Sequence, residues 1–168
     1  MYEALTKAIL LEDARVAGDV ERIRSSHPHL SDAQVGRRLT RSAGLRCGVI
    51  AAVASAGEPV LGRLASTADF SFQALSLIRL AQSIALAHRR PTTLLERGGA
   101  AAAGLILAGA ASTVRRGTGQ AARWLSWRNT QFAPILSALA GGAAAFASAA
   151  LLGRLVEQYL SDRGRWRW

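Results

Sequence analysis

The chain has 168 residues, half of them hydrophobic, and 21 Lys or Arg against 11 Asp or Glu give it a formal net charge of +10. That length allows one domain of ordinary size, and the apolar content excludes a disordered chain. The single cysteine, Cys47, excludes an internal disulfide framework and a multi-cysteine zinc site. Alanine is abundant and aromatic residues make up only 6%, so the composition favours helices over strands.

The charge is divided unevenly along the chain. Residues 1–32 carry six acidic and four basic side chains, whereas the rest carries 17 arginines and five acids, a net charge of +12. Acidic residues near the N-terminus stand where a signal peptide needs a basic start and an apolar core. We therefore expect no signal peptide and a cytoplasmic starting point.

The first half of the chain predicts two helices. The first covers about residues 2–26 and ends before Pro28, because the residue that precedes a proline avoids the helical conformation. Ser31 and Gln34 form a capping box that starts the second helix. We expect the Gly-Glu-Pro sequence at 57–59 to break it.

The second half continues the pattern, with a third helix predicted over about 62–88. A capping box at 93–96 opens a fourth helix that contains the uncharged run 98–114, and a Gly-Thr-Gly turn is expected at 117–119. The last helix covers about 131–162. No segment has the alternation of a strand, so the predicted fold class is all-α, a compact bundle of five to six helices.

The most apolar stretch is predicted to form an Ala/Gly-rich helical hairpin over 98–153. Its run 129–153 has no charge and would form about 38 Å of helix, long enough to cross a hydrocarbon core of about 30 Å. Its strongly apolar residues contribute only about −2 to −4 kcal/mol, so insertion of this helix alone is marginal. Small residues four apart, such as Gly44 and Gly48, allow close helix packing in lipid and in water alike.

All four tryptophans flank the last helix, and each has an arginine nearby. Trp and Arg at the ends of an apolar segment are typical of a membrane interface, and a flexible basic tail is the alternative. Basic loops on both sides of 98–114 leave the orientation open and favour peripheral or shallow attachment to an anionic leaflet. The predicted membrane-interface residues are Arg115, Arg116, Arg123, Trp124, Trp127, Arg128, Arg165, Trp166, Arg167 and Trp168.

The sequence contains no recognisable catalytic motif. It has no Cys/His cluster at metal-ligand spacing, no phosphate-binding loop and no nucleophile elbow, so we expect no enzymatic activity, metal or cofactor. Cys47, beside Arg46, is interpreted as a buried core residue rather than a reactive thiol.

Asp69 and Arg79 stand in apolar surroundings on the third helix. We interpret them as structural polar residues that each meet a partner on another helix, Asp69 an arginine of the second helix. The alternative is a polar site inside a lipid-associated bundle.

Several short motifs from residue 32 onward occur in a recognisable order. They are the basic helix 34–46 with its run into 48–57, Pro59, Asp69 within a helix, the Leu-x-x-Ile-Arg-Leu-x-x-x-Ile-Ala pattern in Leu75–His88, and an ending from Phe132-Ala133-Pro134-Ile135 through Gly141-Gly142 to Gly153-Arg154-Leu155 and Tyr159. This order resembles the EcsC family of bacterial membrane-associated helical proteins. The chain departs from the family at His88-Arg89-Arg90, where a Tyr-Gly pair often stands. The resemblance implies a membrane location, with roles linked to transport and secretion machinery.

These observations predict three segments: an amphipathic acidic helix over 1–30, an EcsC-like helical domain over 31–162, and a basic Trp-rich tail over 163–168. We expect a non-enzymatic accessory or scaffold protein of the bacterial cytoplasmic membrane, at its cytoplasmic face or embedded, with conditional insertion of the 98–153 hairpin as a variant. The expected partners are anionic membrane lipids, a membrane protein complex, and further copies of the chain through small-residue helix faces. The alternatives are a soluble basic bundle that binds nucleic acid and a membrane-perturbing effector.

Overall fold

The computed structural model describes residues 2–61, 63–89, 94–125 and 133–165, with side chains for 14–56, 68–89, 102–114, 135–162 and a few others. These residues form five helices and no strand, which confirms the all-α bundle. The helices are α1 (Tyr2–Ser26), α2 (Asp32–Leu61), α3 (Arg63–Ala87), α4 (Leu94–Leu125) and α5 (Ala133–Arg165).

The predicted start of α2 is confirmed atom by atom. The Ser31 amide donates to Gln34 Oε1 at 2.8 Å, and the Gln34 amide donates to Ser31 Oγ at 3.3 Å. This reciprocal pair satisfies two backbone donors that a helix start leaves without an intrahelical acceptor. The end of α1 at Ser26, ahead of Pro28, is confirmed as well.

Two predicted interruptions of helices are wrong. α2 continues through the Gly-Glu-Pro sequence at 57–59 to Leu61. The proline removes the hydrogen bond to the Ser55 carbonyl, and only two residues of the helix follow it. α4 continues through the expected turn at 117–119 to Leu125. Gly117 keeps a helical backbone with open space around it, and each helical glycine costs only about 1 kcal/mol.

Successive helices run antiparallel, and α5 lies against both α2 and α4. Gly36 of α2 lies beside Ile84 of α3 and Glu157 of α5, whereas Gly48, further along α2, lies beside Gly142. Residue numbers therefore rise along α2 as they fall along α5. Among the described residues, the contact between α2 and α5 is the most extensive of any helix pair.

The α4–α5 pair forms the predicted apolar hairpin. Ser148 Oγ on α5 donates to the Leu107 carbonyl of α4 at 3.4 Å, and Tyr159 Oη donates to Glu96 Oε1 at 3.1 Å. These two contacts give the antiparallel order of the pair. Leu94–Leu125 and Ala133–Arg165 are each long enough for the hairpin to extend along the whole bundle.

One arginine joins three helix ends. Arg24 Nη2, on the last turn of α1, donates to Asp32 Oδ1 at 2.8 Å and to the Ala87 carbonyl at 2.7 Å. Ala87 is the last residue of α3, so its carbonyl oxygen accepts no hydrogen bond from a later turn of the helix. The Arg24 guanidinium donates to this oxygen instead. Arg89 follows with a positive φ of 53°, the left-handed conformation in which helices commonly end.

The large buried side chains lie toward the end of the bundle where α1 ends and α2 begins. Each contributes about 1.5–3 kcal/mol when fully buried. They are Val20, Val35, Leu39, Leu77, Leu80, Ile84, Leu152 and Leu160. A second cluster, further along α2, consists of Cys47, Ala51 and Ala145, with Phe72 packed against it. Among the described buried residues, the large aliphatic side chains therefore belong to the first cluster, and the second consists of small residues with Phe72 beside them.

Candidate membrane-facing surface

The α2 and α5 backbones approach closely through glycine. A Cβ added at Gly48 would lie 3.1 Å from the Gly142 carbonyl oxygen, and one added at Gly142 would lie 2.9 Å from the Gly48 carbonyl oxygen. Gly44 leaves room for the Phe146 ring, and Gly153 for the Thr40 side chain. The small-residue pattern noted in the sequence therefore serves close helix packing at these positions.

Large apolar side chains point outward around this contact. Along α2 they recur every fourth residue, and the most exposed on α2 and α5 are Val53 (67%) and Leu139 (66%). On α4, Ile106 is 71% exposed. We call the set the apolar surface; its members are Leu45, Val49, Val53, Leu105, Ile106, Val114, Ile135, Leu136, Leu139, Phe146 and Leu151.

The apolar surface covers an interior of small residues. Behind it lie the buried Cys47, Ala51 and Ala145, and no large aliphatic side chain belongs to that described cluster. A water-soluble bundle normally places its largest apolar side chains inside. Around this cluster the arrangement is reversed, with Ala and Gly between the helices and Leu, Val and Ile outside, as in helices that pack within lipid.

Charge is separated from the apolar surface along the helix axes. In the stretches 47–56, 68–78, 102–114 and 135–153, the one charged residue is Asp69, and it is buried. Many exposed charges among the described residues lie toward the opposite end of the helices, whereas Arg46 lies at the edge of the apolar surface, beside Leu45; the former include Arg37, Arg38, Arg41, Arg89, Arg154 and Asp162. Three exposed apolar side chains also lie toward that end, namely Leu86, Leu155 and Tyr159.

Two helical stretches in the described residues are long and apolar enough to cross a membrane. Ala68–Ala87 has a mean hydropathy of 1.3 and is half buried, as a core helix of a soluble protein would be. Ile135–Asp162 has a mean hydropathy of 1.9 and is only 22% buried. Ala102–Val114, on α4, is apolar but shorter.

Asp69 belongs to a buried polar group within the bundle. It is 3% exposed, and Gln73 Nε2, one turn later on α3, donates to Asp69 Oδ2 at 2.8 Å. Ser55 of α2 is also 3% exposed. The partner of Asp69 on α2 stays a prediction, and Arg79, predicted to pair with another helix, lines a cavity between α1, α2 and α3.

Cys47 is a buried residue, as the sequence suggested. Its side chain is 1% exposed, and this burial raises the pKa of the thiol. A hydrogen bond with Ser76 and the charge of Arg46 act in the opposite direction, whereas the charge of Asp69 raises the pKa further. The thiol is therefore protonated at neutral pH and a poor nucleophile.

The predicted interface residues fall at the edge of what the structure describes. Arg115, Arg116, Arg123 and Trp124 lie on the α4 backbone, and Arg165 is the last residue of α5. Their side chains, together with Trp127, Arg128, Trp166, Arg167 and Trp168, lie outside the described residues. The described residues instead show the apolar surface as a candidate site, and its α2 part was not predicted from the sequence.

The spacing of the apolar residues on α2 could have predicted that part of the apolar surface. Leu45, Val49 and Val53 stand four residues apart, and Arg38 and Arg41 occupy the same side of α2 one to two turns earlier. Periodicity shows that these residues share a side but not whether that side faces a neighbour or solvent. The glycines at 44 and 48 decide it, because they place α5 against the adjacent side of α2.

No group of three His, Cys, Asp or Glu residues that could hold a metal occurs in the described part of the chain. A scan of known protein families finds none that matches, and comparisons with curated proteins and with solved structures find no match. The resemblance to the EcsC family therefore stays a prediction.

Proposed function

We propose that this protein is a non-enzymatic, membrane-associated helical protein that attaches to lipid through the apolar surface. The observation that supports the proposal is the reversed packing where 44–53 of α2 meets 135–146 of α5, with small residues between the helices and large aliphatic residues outside. In water, this exposed apolar area would be unfavourable by about 25 cal/mol per Å² relative to burial. Contact with acyl chains removes that cost.

Within this class, we propose the role of an accessory or scaffold of a bacterial cytoplasmic membrane complex. The exposed arginines at the other end of the helices would remain in the headgroup region or in water, where each contributes about 1 kcal/mol of attraction to anionic lipid. The resemblance to the EcsC family supports the same location. The membrane-perturbing effector, in which the 98–153 hairpin inserts on a trigger, is a variant of this proposal.

Fractionation separates the modes of attachment. After expression, membranes are washed with high salt and then with carbonate. Release by salt indicates peripheral binding, and retention through both washes indicates insertion. A chain that stays wholly in the soluble fraction and shifts DNA in a gel would contradict the proposal and favour nucleic-acid binding, for which affinity must fall steeply with salt.

A pair of matched variants tests the surface itself. Val53→Glu with Leu139→Glu places two carboxylates on exposed positions of the apolar surface, where each charge costs about 2.5–3.5 kcal/mol in the hydrocarbon. We expect this variant to lose binding to vesicles of phosphatidylglycerol and phosphatidylcholine while keeping its helical content by circular dichroism.

The control, Leu86→Glu with Gln158→Glu, makes the same change in charge at exposed positions outside the apolar surface. We expect it to retain most of the vesicle binding. Equal loss in both variants would mean that net charge, rather than the apolar surface, holds the protein to the membrane.

A further inference from the structure

A cavity of about 650 Å³ opens between α1, α2 and α3, on residues that the apolar surface does not use. Four arginines line it: Arg15 and Arg22 from α1, Arg46 from α2 and Arg79 from α3. Asp19 is the one acidic side chain among its described lining residues. We call this site the arginine cavity.

The charge of the arginine cavity is strongly unbalanced. The Asp19 carboxylate lies between two guanidinium groups, 3.4 Å from Arg22 and 4.0 Å from Arg46. One carboxylate against four arginines leaves a formal charge of +3 on the described lining residues. A concave site with charge of one sign concentrates the field and attracts anions, and guanidinium groups bind phosphate oxygens in pairs of parallel hydrogen bonds.

The floor of the cavity is apolar, which a site for a simple inorganic anion would not need. Val16, Leu39, Phe72 and Leu80 contribute apolar side chains to the lining. Serine hydroxyls, which donate hydrogen bonds to anionic oxygens, come from Ser42, Ser76 and Ser83. The lining therefore suits a molecule with an anionic head and an apolar chain.

The arginine cavity lies beside one edge of the apolar surface along the helix axes. Arg46 follows directly after Leu45, the first residue of the apolar surface on α2, and Val49 is one turn further. If the apolar surface contacts acyl chains, Arg46 stands near the depth of the lipid phosphates. The exposed arginines of the cavity then meet phosphate without leaving the headgroup region.

We propose that the arginine cavity binds the phosphate of an anionic phospholipid, with the apolar floor taking up the start of an acyl chain. This inference deepens the proposed function, because it names the lipid class that the membrane-associated protein recognises. The shared chemistry is a phosphate group, and the test distinguishes a lipid from free phosphate.

The first experiment measures binding in the absence of any membrane. The full chain is titrated with short-chain phosphatidic acid below its critical micelle concentration, with short-chain phosphatidylcholine, and with inorganic phosphate, by calorimetry or NMR. We expect the phosphatidic acid to bind at least about tenfold more tightly than either comparison ligand. Equal affinity for phosphatidic acid and inorganic phosphate would leave an anion site and overturn the lipid assignment.

The second experiment uses a variant and a matched control on exposed arginines. Arg15→Gln with Arg46→Gln removes two guanidinium groups from the cavity at exposed positions, so the bundle should fold normally. Arg37→Gln with Arg41→Gln makes the same change in net charge outside the cavity. We expect the cavity variant to bind short-chain phosphatidic acid at least about tenfold more weakly, and the control to bind it as the parent chain does.

The outcomes separate this inference from the proposed function. If the chain fails to bind any vesicle yet binds short-chain phosphatidic acid through Arg15 and Arg46, the cavity inference holds and the membrane proposal fails. If vesicles bind but the cavity variant and its control behave alike with both vesicles and short-chain lipid, the cavity inference is overturned.

Discussion

Gly48 and Gly142 face each other across the α2–α5 contact: a Cβ added to Gly48 would lie 3.1 Å from the Gly142 carbonyl oxygen, and one added to Gly142 would lie 2.9 Å from the Gly48 carbonyl oxygen. The two residues are far apart in the sequence, so this contact is a tertiary one that sets the distance between the helices along their length. Backbone carbonyls cannot move aside as flexible side chains do. The contact is therefore sensitive to a single methyl group.

We expect Gly142→Ala to destabilise the protein by about 1–2 kcal/mol. The new Cβ would lie 2.9 Å from the Gly48 carbonyl oxygen, and the cost of separating the helices exceeds the gain in helix propensity. Gly109→Ala is the control, because no atom lies within 4 Å of its added Cβ. We expect this control to be stabilising by about 0.5–1 kcal/mol, and thermal unfolding followed by circular dichroism measures both changes.

Arg24 should matter more than its neighbour Arg22. Arg24→Ala removes the hydrogen bonds to Asp32 and to the Ala87 carbonyl, and we expect a loss of about 1–3 kcal/mol in the free energy of unfolding. The Arg22 side chain is 73% exposed and pairs only at 3.4 Å with Asp19. Arg22→Ala should therefore change stability by less than about 0.5 kcal/mol. Urea denaturation of the two variants compares them, and equal losses would contradict a joining role for Arg24.

The buried thiol makes a prediction about pH. Because burial raises the pKa of Cys47 in the folded state, the unfolded chain loses the thiol proton first as the pH rises. The contribution of this thiol to the free energy of unfolding is thus fully present below its pKa in the unfolded chain, about 8.5, and decreases as the pH rises above that value. We expect the unfolding temperature of the parent chain to fall above about pH 9. The unfolding temperature of the Cys47→Ala variant should fall less over the same range.

Alkylation provides a second readout for Cys47. At neutral pH, iodoacetamide should modify the native protein far more slowly than the urea-unfolded protein, because the thiol is both buried and protonated. Equal rates in the two states would show that the α2–α3 contact around Cys47 opens readily.

The tryptophans give a prediction that rests on the sequence alone. Changing Trp124, Trp127, Trp166 and Trp168 together to Ala should weaken binding to anionic vesicles, since indole rings favour the headgroup region. Tryptophan fluorescence of the parent chain should shift to shorter wavelength when vesicles are added. Unchanged vesicle binding by the quadruple variant would remove these residues as interfacial anchors.

Most of the fold could be predicted from local signals. The Ser31–Gln34 capping box and Pro28 placed the first helix boundary correctly, because capping and proline effects act within a few residues. Pro59 and Gly117 misled the prediction, since a helix tolerates either residue where the neighbouring turns supply enough stability.

The candidate sites were less accessible to sequence reasoning. Arg15, Arg46 and Arg79 are separated by many residues, and nothing local indicates that they surround one cavity. The outward direction of Val49 and Val53 likewise depends on which side of α2 receives α5. Both arrangements arise from tertiary packing. In the sequence, only the small residues Gly44 and Gly48 indicated that another helix packs closely against that side of α2.

The tight fit of α5 against α2 also limits how the protein can change shape. α5 shares its largest contact with α2 rather than with α4, its neighbour in the hairpin. For α4 and α5 to leave the bundle together, the facing glycine backbones would have to part along several turns. Movement that carries α2 and α5 as one unit keeps that contact whole. Insertion of α4 and α5 without α2 would therefore have to break the most extensive helix contact among the described residues.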